Sequence, residues 1–253
     1  MTQMFHPFEH IDEKLERAAD HIEALQIAVN SLLDSTPYRS VPDDDPEALQ
    51  DLNRIVRDLR IPPRIGILAG EVIHQTRSAL DHIATALVLA NKGTVTSQTQ
   101  FPIYPYKPSS EKESLRYEGQ IRGMTQSAKA LIDGMQPCNT PDPLNHPLTL
   151  LKRLNNIDKH QALLVTVAVT RPIVHFELDG DRYSTDNPAH FRAVTFGGAA
   201  NVEASYGAYV VFPEFGTAQN SPIIHSVGRL WAHVTFVVRD TFRVELTNFP
   251  WER

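Results

Sequence analysis

The sequence predicts an α+β protein, in which an N-terminal helical bundle is followed by a small antiparallel β-sheet and a C-terminal helix. Apolar residues recur at helical spacing through most of residues 1–162, and β-branched residues then alternate over 163–220. Helical spacing returns over 221–245. With 253 residues, 42% of them hydrophobic, the chain is long enough for one domain, 1–253, with a substantial core.

The first predicted helix carries a narrow apolar stripe whose members are separated by four and three residues in turn. The stripe consists of Ile11, Leu15, Ala18, Ile22, Leu25, Val29 and Leu32. It must pack against another helix, either inside the bundle or across a homodimer. The repeat covers only three heptads, which favours the bundle and leaves the homodimer as the alternative.

Two prolines mark the start of the long third helix. Asp45 before Pro46 is a suitable N-cap for a second helix, because its carboxylate can accept hydrogen bonds from the first free backbone N–H groups. Pro62 and Pro63 end that helix and introduce the third, predicted over residues 66–92.

The middle of the chain is less regular. Residues 92–123 are rich in Thr, Ser, Pro and Tyr and are predicted to form a long loop excursion, the most mobile part of the molecule. A short helix over 124–135 and a longer one from Pro147 complete the predicted bundle.

The predicted strands are separated by glycine-containing turns. The strand-like runs are 163–178, 191–196 and 207–213. The C-terminal segment that follows has helical spacing, although its many β-branched residues leave a strand as the alternative.

The charge balance excludes one broad class of function. The chain has 24 Lys and Arg against 30 Asp and Glu, a formal charge of −6, which argues against coating nucleic acid or acidic membranes by bulk electrostatics. A local basic groove remains compatible with this charge. The single cysteine, Cys138, excludes an internal disulfide, and the absence of a signal-like apolar run predicts a cytoplasmic protein without a membrane anchor.

The third helix has an unusual polar side. Its residues are His74, Arg77, Ser78, Asp81 and His82. A solvated helix face usually carries several Lys and Glu, but between Glu71 and Lys92 this helix has neither. We therefore predict that another part of the protein covers this side, with Arg77 paired to Asp81 one turn later. The pair serves either a purely structural network or a cleft that opens onto this face.

A second polar cluster, RLNNIDKH, ends the helix that starts at Pro147. On a helix Arg153, Asn156 and His160 share a face, whereas Asp158 and Lys159 point elsewhere. The alternative is an ordinary helix C-terminus, where basic residues interact favourably with the helix dipole.

Three motifs in this chain resemble those of a family of bacterial proteins, common in actinobacteria, that has no assigned reaction. The motifs are GEVIHQTRSALDH at 70–82, FPIY at 101–104 and NIDKH at 156–160. The resemblance covers most of residues 10–165. It implies a shared fold over that range and no particular mechanism.

A looser resemblance is to HEPN ribonucleases, which are small helical bundles with an arginine four to six residues before a histidine. Arg77 with His82 and Arg153 with His160 are similar pairs. The resemblance implies that the arginine steadies phosphate charge, that the histidine helps activate a ribose 2′-hydroxyl without a metal, and that two motifs meet across a dimer. Arg77 and His82 lie about 140° apart on a helix, so the second pair is the better oriented.

This resemblance gives the leading interpretation, a cytoplasmic HEPN-like protein that acts on RNA or a nucleotide, in the manner of a metal-independent endoribonuclease. The candidate catalytic residues are Arg77, Asp81, His82, Arg153, Asp158 and His160. The histidines would transfer protons, the arginines would hold the phosphate, and the aspartates would orient them. The candidate ligand-binding residues are His74, Ser78, Asn156 and Lys159.

Two alternatives belong to other classes of function. The polar network could be structural in a non-catalytic module that binds a partner protein. A metal-dependent hydrolase could use suitable ligand types, although none has a recognised ligand spacing such as HExxH. Those ligand types are His74, Asp81, Asp158 and His160. The leading interpretation requires no cofactor, no metal and no membrane, and it includes a homodimer.

Overall fold

The computed structural model combines helices with small antiparallel sheets, and most of its regular structure is helical. The predicted α+β class is confirmed at this level. The structure describes residues 7–34, 41–42, 46–161, 163, 165–169, 173–178, 181–185, 200–206, 208–213 and 222–247.

The helices precede and follow the strands. They are α1 (Pro7–Asp34), α2 (Pro46–Asp58), α3 (Pro63–Ala90), α4 (Glu111–Gln120), α5 (Gln126–Gly134), α6 (Pro147–His160), α7 (Ile223–Ala232) and α8 (Arg243–Thr247). The strands are β1 (Val41–Pro42), β2 (Thr166–Val169), β3 (Ile173–Leu178), β4 (Asp181–Thr185), β5 (Ala200–Tyr206) and β6 (Ala208–Val211). The predicted N-cap Asp45 and the predicted strand at 191–196 lie outside the described residues.

Helices α1 and α3 pack along each other and form the centre of the core. The predicted stripe of α1 is buried except for Ile22, which is partly buried, and α3 contributes an equally buried side that includes Ile65, Ile73, Leu80 and Ile83. Each such side chain stabilises the fold by about 1.5–3 kcal/mol through removal of apolar surface from water. The stripe of α1 therefore packs within the chain, and the homodimer alternative for this stripe is wrong.

Helix α3 begins as its prolines predict and ends two residues earlier than predicted. Pro63 occupies the first turn, where its missing N–H costs nothing. At the other end Lys92 adopts a positive φ of 55°, and the N–H of Gly93 donates to the carbonyl oxygen of Val88 at 2.9 Å. This left-handed turn closes the helix and starts the following segment.

The predicted loop excursion over 92–123 contains a helix, α4. The hydroxyl of Ser110 accepts from the backbone N–H of Glu113, and the Glu113 carboxylate accepts from the N–H of Ser109 at 2.8 Å. This reciprocal capping satisfies N–H groups that a short helix would otherwise leave free. The prediction of irregular structure is therefore wrong for residues 111–120.

The strands form two antiparallel sheets. Four strands pair in the order β1-β5-β3-β4, and β2 pairs with β6 from Thr166 opposite Val211 to Val169 opposite Ala208. The predicted run at 163–178 is thus two strands that belong to different sheets. Val167 and Val210 are buried, which anchors the smaller sheet to the core.

The C-terminal segment is helical, which settles the alternative left by its β-branched residues, but it is not one regular helix. A π-helical segment, His233–Arg239, follows α7 directly. Trp231 donates from its indole N–H to the carbonyl oxygen of Leu15, and Arg239 forms a two-point ion pair with Asp12. These bonds hold the C-terminal helices against α1. Among the described helices, none combines the length and the apolar character that crossing a membrane requires.

Candidate functional site

The polar side of α3 faces two different neighbours, α6 along one edge and α1 along the other. At about 100° per residue, His74, Arg77 and Asp81 fall within about 60° of one another and run along the side of α3 that meets α6. Glu71 and His82 lie further round the helix, on the side of α1. The sequence predicts that the polar side of α3 is one covered face, whereas in the structure its residues lie against two different neighbours.

On the side of α3 that faces α1, a few polar side chains make weak contacts between the two helices. Lys14 donates to the side-chain oxygen of Gln75 at 3.1 Å, and His21 lies 4.0 Å from the Glu71 carboxylate. The ring of His82 lies 6.2 Å from the ring of His10, centroid to centroid. Burial lowers the pKa of His82, and the nearby charges of Lys14 and His10 lower it further. This histidine is therefore neutral at physiological pH.

The other side of α3 holds the segment that contains Phe101. Arg77 donates to Asp81 at 2.7 Å and to the carbonyl oxygen of Phe101 at 2.9 Å. Asp81 in turn accepts the backbone N–H of Phe101 at 3.0 Å. Both backbone groups of Phe101 are thus paired with the ion pair, while its ring is fully buried against Phe242. The predicted Arg77–Asp81 pair exists and fixes this segment in place.

The residues that follow Phe101 are fixed by Gln136, which lies just after α5, and by Lys152 of α6. The side chain of Gln136 donates to the Pro102 carbonyl oxygen and accepts the N–H of Tyr104. Lys152 donates to the Ile103 carbonyl oxygen at 2.8 Å. Residues 101–104 therefore form one wall that is held by hydrogen bonds to α3, Gln136 and α6.

A cleft of about 570 Å³ opens between this wall, α3, α4 and α6. Its size lies within the range of small-ligand sites. Its cations are Arg77, Lys107, Arg116, Lys152 and Lys159, and its carboxylates are Asp81 and Glu113. Both carboxylates are already engaged, Asp81 by Arg77 and Glu113 by the cap of α4. Five cations against two carboxylates leave the cleft with a net positive charge, in a chain of net charge −6.

Lys152 is the central cation of the cleft. Its ammonium group donates to the Ile103 carbonyl oxygen and lies 5.4 Å from the centre of the Tyr104 ring. Burial lowers the pKa of Lys152, and the positive charges of Arg116 and Arg77 lower it further. In the part of the chain that the structure describes, no carboxylate pairs with this half-buried ammonium group. A bound anion would supply the missing negative charge.

The other cations are placed to contact the same ligand. Arg77 uses Nε and Nη2 for its protein contacts, and within the described residues its Nη1 has no hydrogen bond. Lys107, Arg116 and Lys159 are exposed at the cleft and make no ion pair with any described carboxylate. Charged N–H donors from four segments of the chain thus converge on one opening.

The structure brings four of the candidate residues together: Arg77, Asp81, Asn156 and Lys159 line the cleft. The prediction that Lys159 points away from Asn156 is wrong. The residues of α6 that meet the cleft are three and four positions apart, which places them on one side of the helix. That face consists of Lys152, Asn155, Asn156 and Lys159.

Arg153 and His160 are exposed on the adjoining face of α6 and do not line the cleft. They lie about 100° and 80° from Lys152 around the helix axis. The other candidate histidine, His82, is on the α1 side of α3, so Arg77 and His82 do not meet. Ser78 is partly buried and is likewise absent from the cleft lining.

Asp158 and His74 form a separate contact between α3 and α6. Gly70 lets the helices approach closely, since a Cβ there would overlap the Asp158 carboxylate. Burial raises the pKa of Asp158, the charge of Glu71 raises it further, and His74 lowers it. This contact explains Gly70 and Asp158 as packing residues. It does not place either candidate in the cleft.

The described residues contain no group of three or more His, Cys, Asp or Glu side chains that could hold a metal ion. Asp81 is committed to Arg77, and Asp158 faces Gly70 and His74. The four ligand types that motivated the hydrolase alternative are therefore dispersed over three places. That alternative has no supporting geometry in this part of the chain.

Cleft residues that sequence reasoning missed include Tyr104, Lys107, Arg116 and Lys152. One signal was present, because Lys152 precedes Asn156 and Lys159 by four and seven residues on the same helix face. Nothing in the sequence placed Arg116 beside them, since α4 reaches the cleft only through tertiary packing. Comparison with protein-family models, with curated proteins and with solved structures found no match to this chain.

Proposed function

We propose that the cleft binds phosphate groups of RNA or of a nucleotide, in a cytoplasmic HEPN-like protein built on a helical bundle. The supporting observation is the group of five cations with only two carboxylates, both engaged, around a half-buried Lys152. In a chain of net charge −6, such a local excess of positive charge favours the binding of an anionic ligand at this cleft over diffuse binding elsewhere on the surface.

The uncharged lining fits a nucleotide better than a simple inorganic anion. Gln100 and Asn156 offer amide donors and acceptors for base or sugar edges. Tyr106 lines the cleft with 64% of its surface exposed, which leaves its ring available to stack on a base. Phosphate contacts would hold the ligand, and these groups would orient it.

Charge reversal at the rim tests this proposal. Lys159→Glu should weaken binding of a short single-stranded RNA by at least about tenfold, because it replaces a phosphate contact by repulsion. The matched control is Lys92→Glu just after α3, an exposed lysine that does not line the cleft, which should change affinity less than about twofold. Fluorescence anisotropy at several salt concentrations measures both effects.

Two results would contradict RNA or nucleotide binding at the cleft. Equal weakening by both reversals would show that attraction is diffuse and not centred on the cleft. Failure of the unmodified protein to bind RNA or nucleotide at low salt, where phosphate contacts are strongest, would remove the proposal altogether.

A second proposal is that bound RNA is cleaved with His160 as the proton-transfer group. Arg153 and His160 are exposed on the α6 face next to the cleft, so RNA that leaves the cleft along α6 would pass them. In this proposal Arg153 supports the phosphate charge, and Asp81 acts at a distance by orienting Arg77. The HEPN resemblance adds a homodimer, for which sedimentation is the direct test.

His160→Ala should abolish RNA cleavage without lowering the melting temperature, because an exposed side chain contributes little to stability. His225→Ala is the matched control, an exposed histidine on α7 that is outside the cleft lining. If RNA binds but neither the unmodified protein nor the control cleaves it, the non-catalytic binding module replaces the ribonuclease proposal.

A further inference from the structure

Three cations reach the inner part of the cleft from three different elements. Arg77 comes from α3, Arg116 from α4 and Lys152 from α6, and the charges of the two arginines act directly on Lys152. Asp81 compensates the charge of Arg77, whereas Lys152 and Arg116 pair with no described carboxylate. A ligand that carries more than one negative charge would compensate both of these cations.

The available donors also match a phosphate group that has three free oxygens. Lys152 has three N–H donors, of which the Ile103 carbonyl oxygen takes one and the Tyr104 ring faces another. Arg77 has its Nη1 donors in reserve among the described contacts, and Arg116 is exposed at the cleft. An internal phosphodiester has only two free oxygens and a single charge, whereas a terminal phosphate has three oxygens and nearly two charges at neutral pH.

We propose that Lys152, Arg77 and Arg116 form a subsite for a terminal phosphate, so that the cleft takes a phosphorylated nucleotide or the phosphorylated end of an RNA. This inference rests on the proposed function and adds the class of ligand. Internal RNA linkages bind more weakly in this subsite, because they satisfy fewer of its donors and less of its charge.

Paired ligands test the subsite. At pH 7.5 AMP carries close to two negative charges and 3′,5′-cyclic AMP carries one on the same nucleoside, so AMP should bind about tenfold more tightly. A hexaribonucleotide with a 5′-phosphate, compared with the same hexamer with a 5′-hydroxyl, tests RNA ends separately. A preference seen with AMP alone identifies a free nucleotide as the ligand, and a preference in both pairs identifies RNA ends as well.

Substitutions then assign the preference to these residues. Lys152→Met should remove most of the preference for AMP over the cyclic nucleotide, while Lys92→Met, outside the cleft lining, should leave it unchanged. Arg116→Gln is the second variant, because Arg116 is exposed and its loss does not disturb the core. It should reduce the preference about threefold or more.

The outcomes separate this inference from the proposed function. Equal, tight binding of both members of each pair would overturn the terminal-phosphate subsite and leave the phosphate-binding cleft intact. A preference that persists in both Lys152→Met and Arg116→Gln would also overturn it. If none of the four ligands binds, the proposed function itself fails.

Discussion

Buried polar side chains have opposite environments at the N-cap of α6 and in the middle of that helix. At the N-terminal end, His146 accepts the N–H of Leu148 at 3.2 Å, and its ring meets the edge of His233 with centroids 5.1 Å apart. Burial lowers the pKa of both histidines, so the pair is neutral. Further along the same helix, Lys152 is similarly buried, and its charge faces two arginines instead of a described carboxylate.

This difference distinguishes side chains that stabilise the fold from side chains that are suited to bind a ligand. A neutral pair that makes a cap and an edge-to-face contact stabilises the junction of α6 with the C-terminal helices. A cation that is kept away from carboxylates lowers the free energy of unfolding, and natural proteins tolerate such costs chiefly at functional sites. The Arg77–Asp81 pair stands between the two cases, because it fixes the wall of the cleft and also offers a free Nη1 to a ligand.

The largest expected effect comes from Arg77→Met. Loss of the guanidinium leaves the Phe101 carbonyl oxygen and the Asp81 carboxylate without their donor, and the Arg77 side chain is only 12% exposed. The free energy of unfolding should fall by about 2 kcal/mol, less than for a fully buried pair because Asp81 is 37% exposed. Urea denaturation measures the change.

Arg116→Met is the matched control for that substitution. Arg116 lines the same cleft but is exposed and has no described ion pair, so its loss should change the free energy of unfolding by less than about 0.5 kcal/mol. Equal effects of the two substitutions would mean that the wall at Phe101 does not depend on the ion pair.

Acidification should act at the N-cap of α6, where His146 contacts His233. Burial, with His146 and Arg229 nearby, lowers the pKa of His233 to about 4 from its usual 6.5. Between these values the unfolded chain binds more protons than the folded one, so stability is complete above about pH 6.5 and is lost as the pH falls toward 4. Because the ring is not fully buried, we expect a loss of about 1–2 kcal/mol.

His233→Phe keeps an aromatic ring beside His146 but cannot titrate. Its free energy of unfolding should therefore depend less on pH between 6.5 and 4 than that of the unmodified protein, as measured by urea denaturation at a series of pH values. The remaining dependence comes from His146, whose pKa is lowered by burial. An unchanged slope would show that the junction between α6 and the π-helical segment does not control acid stability.

A smaller and local effect is expected at α4, which carries Arg116 to the cleft. Ser110→Ala removes the side-chain acceptor for the Glu113 N–H and should cost about 1 kcal/mol, confined to this exposed helix. Ser110→Thr keeps the acceptor and is the control. Hydrogen exchange should accelerate at Glu113 and not in α6, and acceleration in both helices would mean that α4 is not an independent unit.

The periodicity of apolar residues predicted the helices that build the core. The stripe of α1, the proline start of α3 and the helix from Pro147 follow directly from local sequence. Helix α4 was missed because it is almost entirely polar and exposed, so it has no apolar face to detect. Its capping sequence at Ser110 and Glu113 was the available signal.

The candidate site was predicted in part for a related reason. A helical wheel assigns Arg77 and Asp81 to a covered side but cannot tell which neighbour covers each part of it. His82 was grouped with them, although α1 and not the cleft lies against that edge. The partners of Arg77 at the subsite, Lys152 and Arg116, are distant along the chain, and only tertiary packing brings them together.

A small change in stability is expected for Lys152→Met, which is also the sharpest test of the difference between the N-cap of α6 and its middle. Removal of a poorly solvated charge that faces two arginines should stabilise the fold, while loss of the hydrogen bond to the Ile103 carbonyl oxygen should destabilise it. These effects oppose each other, so the free energy of unfolding should change by less than about 1 kcal/mol in either direction. Nucleotide affinity should nevertheless fall by about tenfold, measured by calorimetry on the same samples. A large loss of stability with affinity retained would make Lys152 an architectural residue like His146, and the contrast between the N-cap and the middle of the helix would no longer hold.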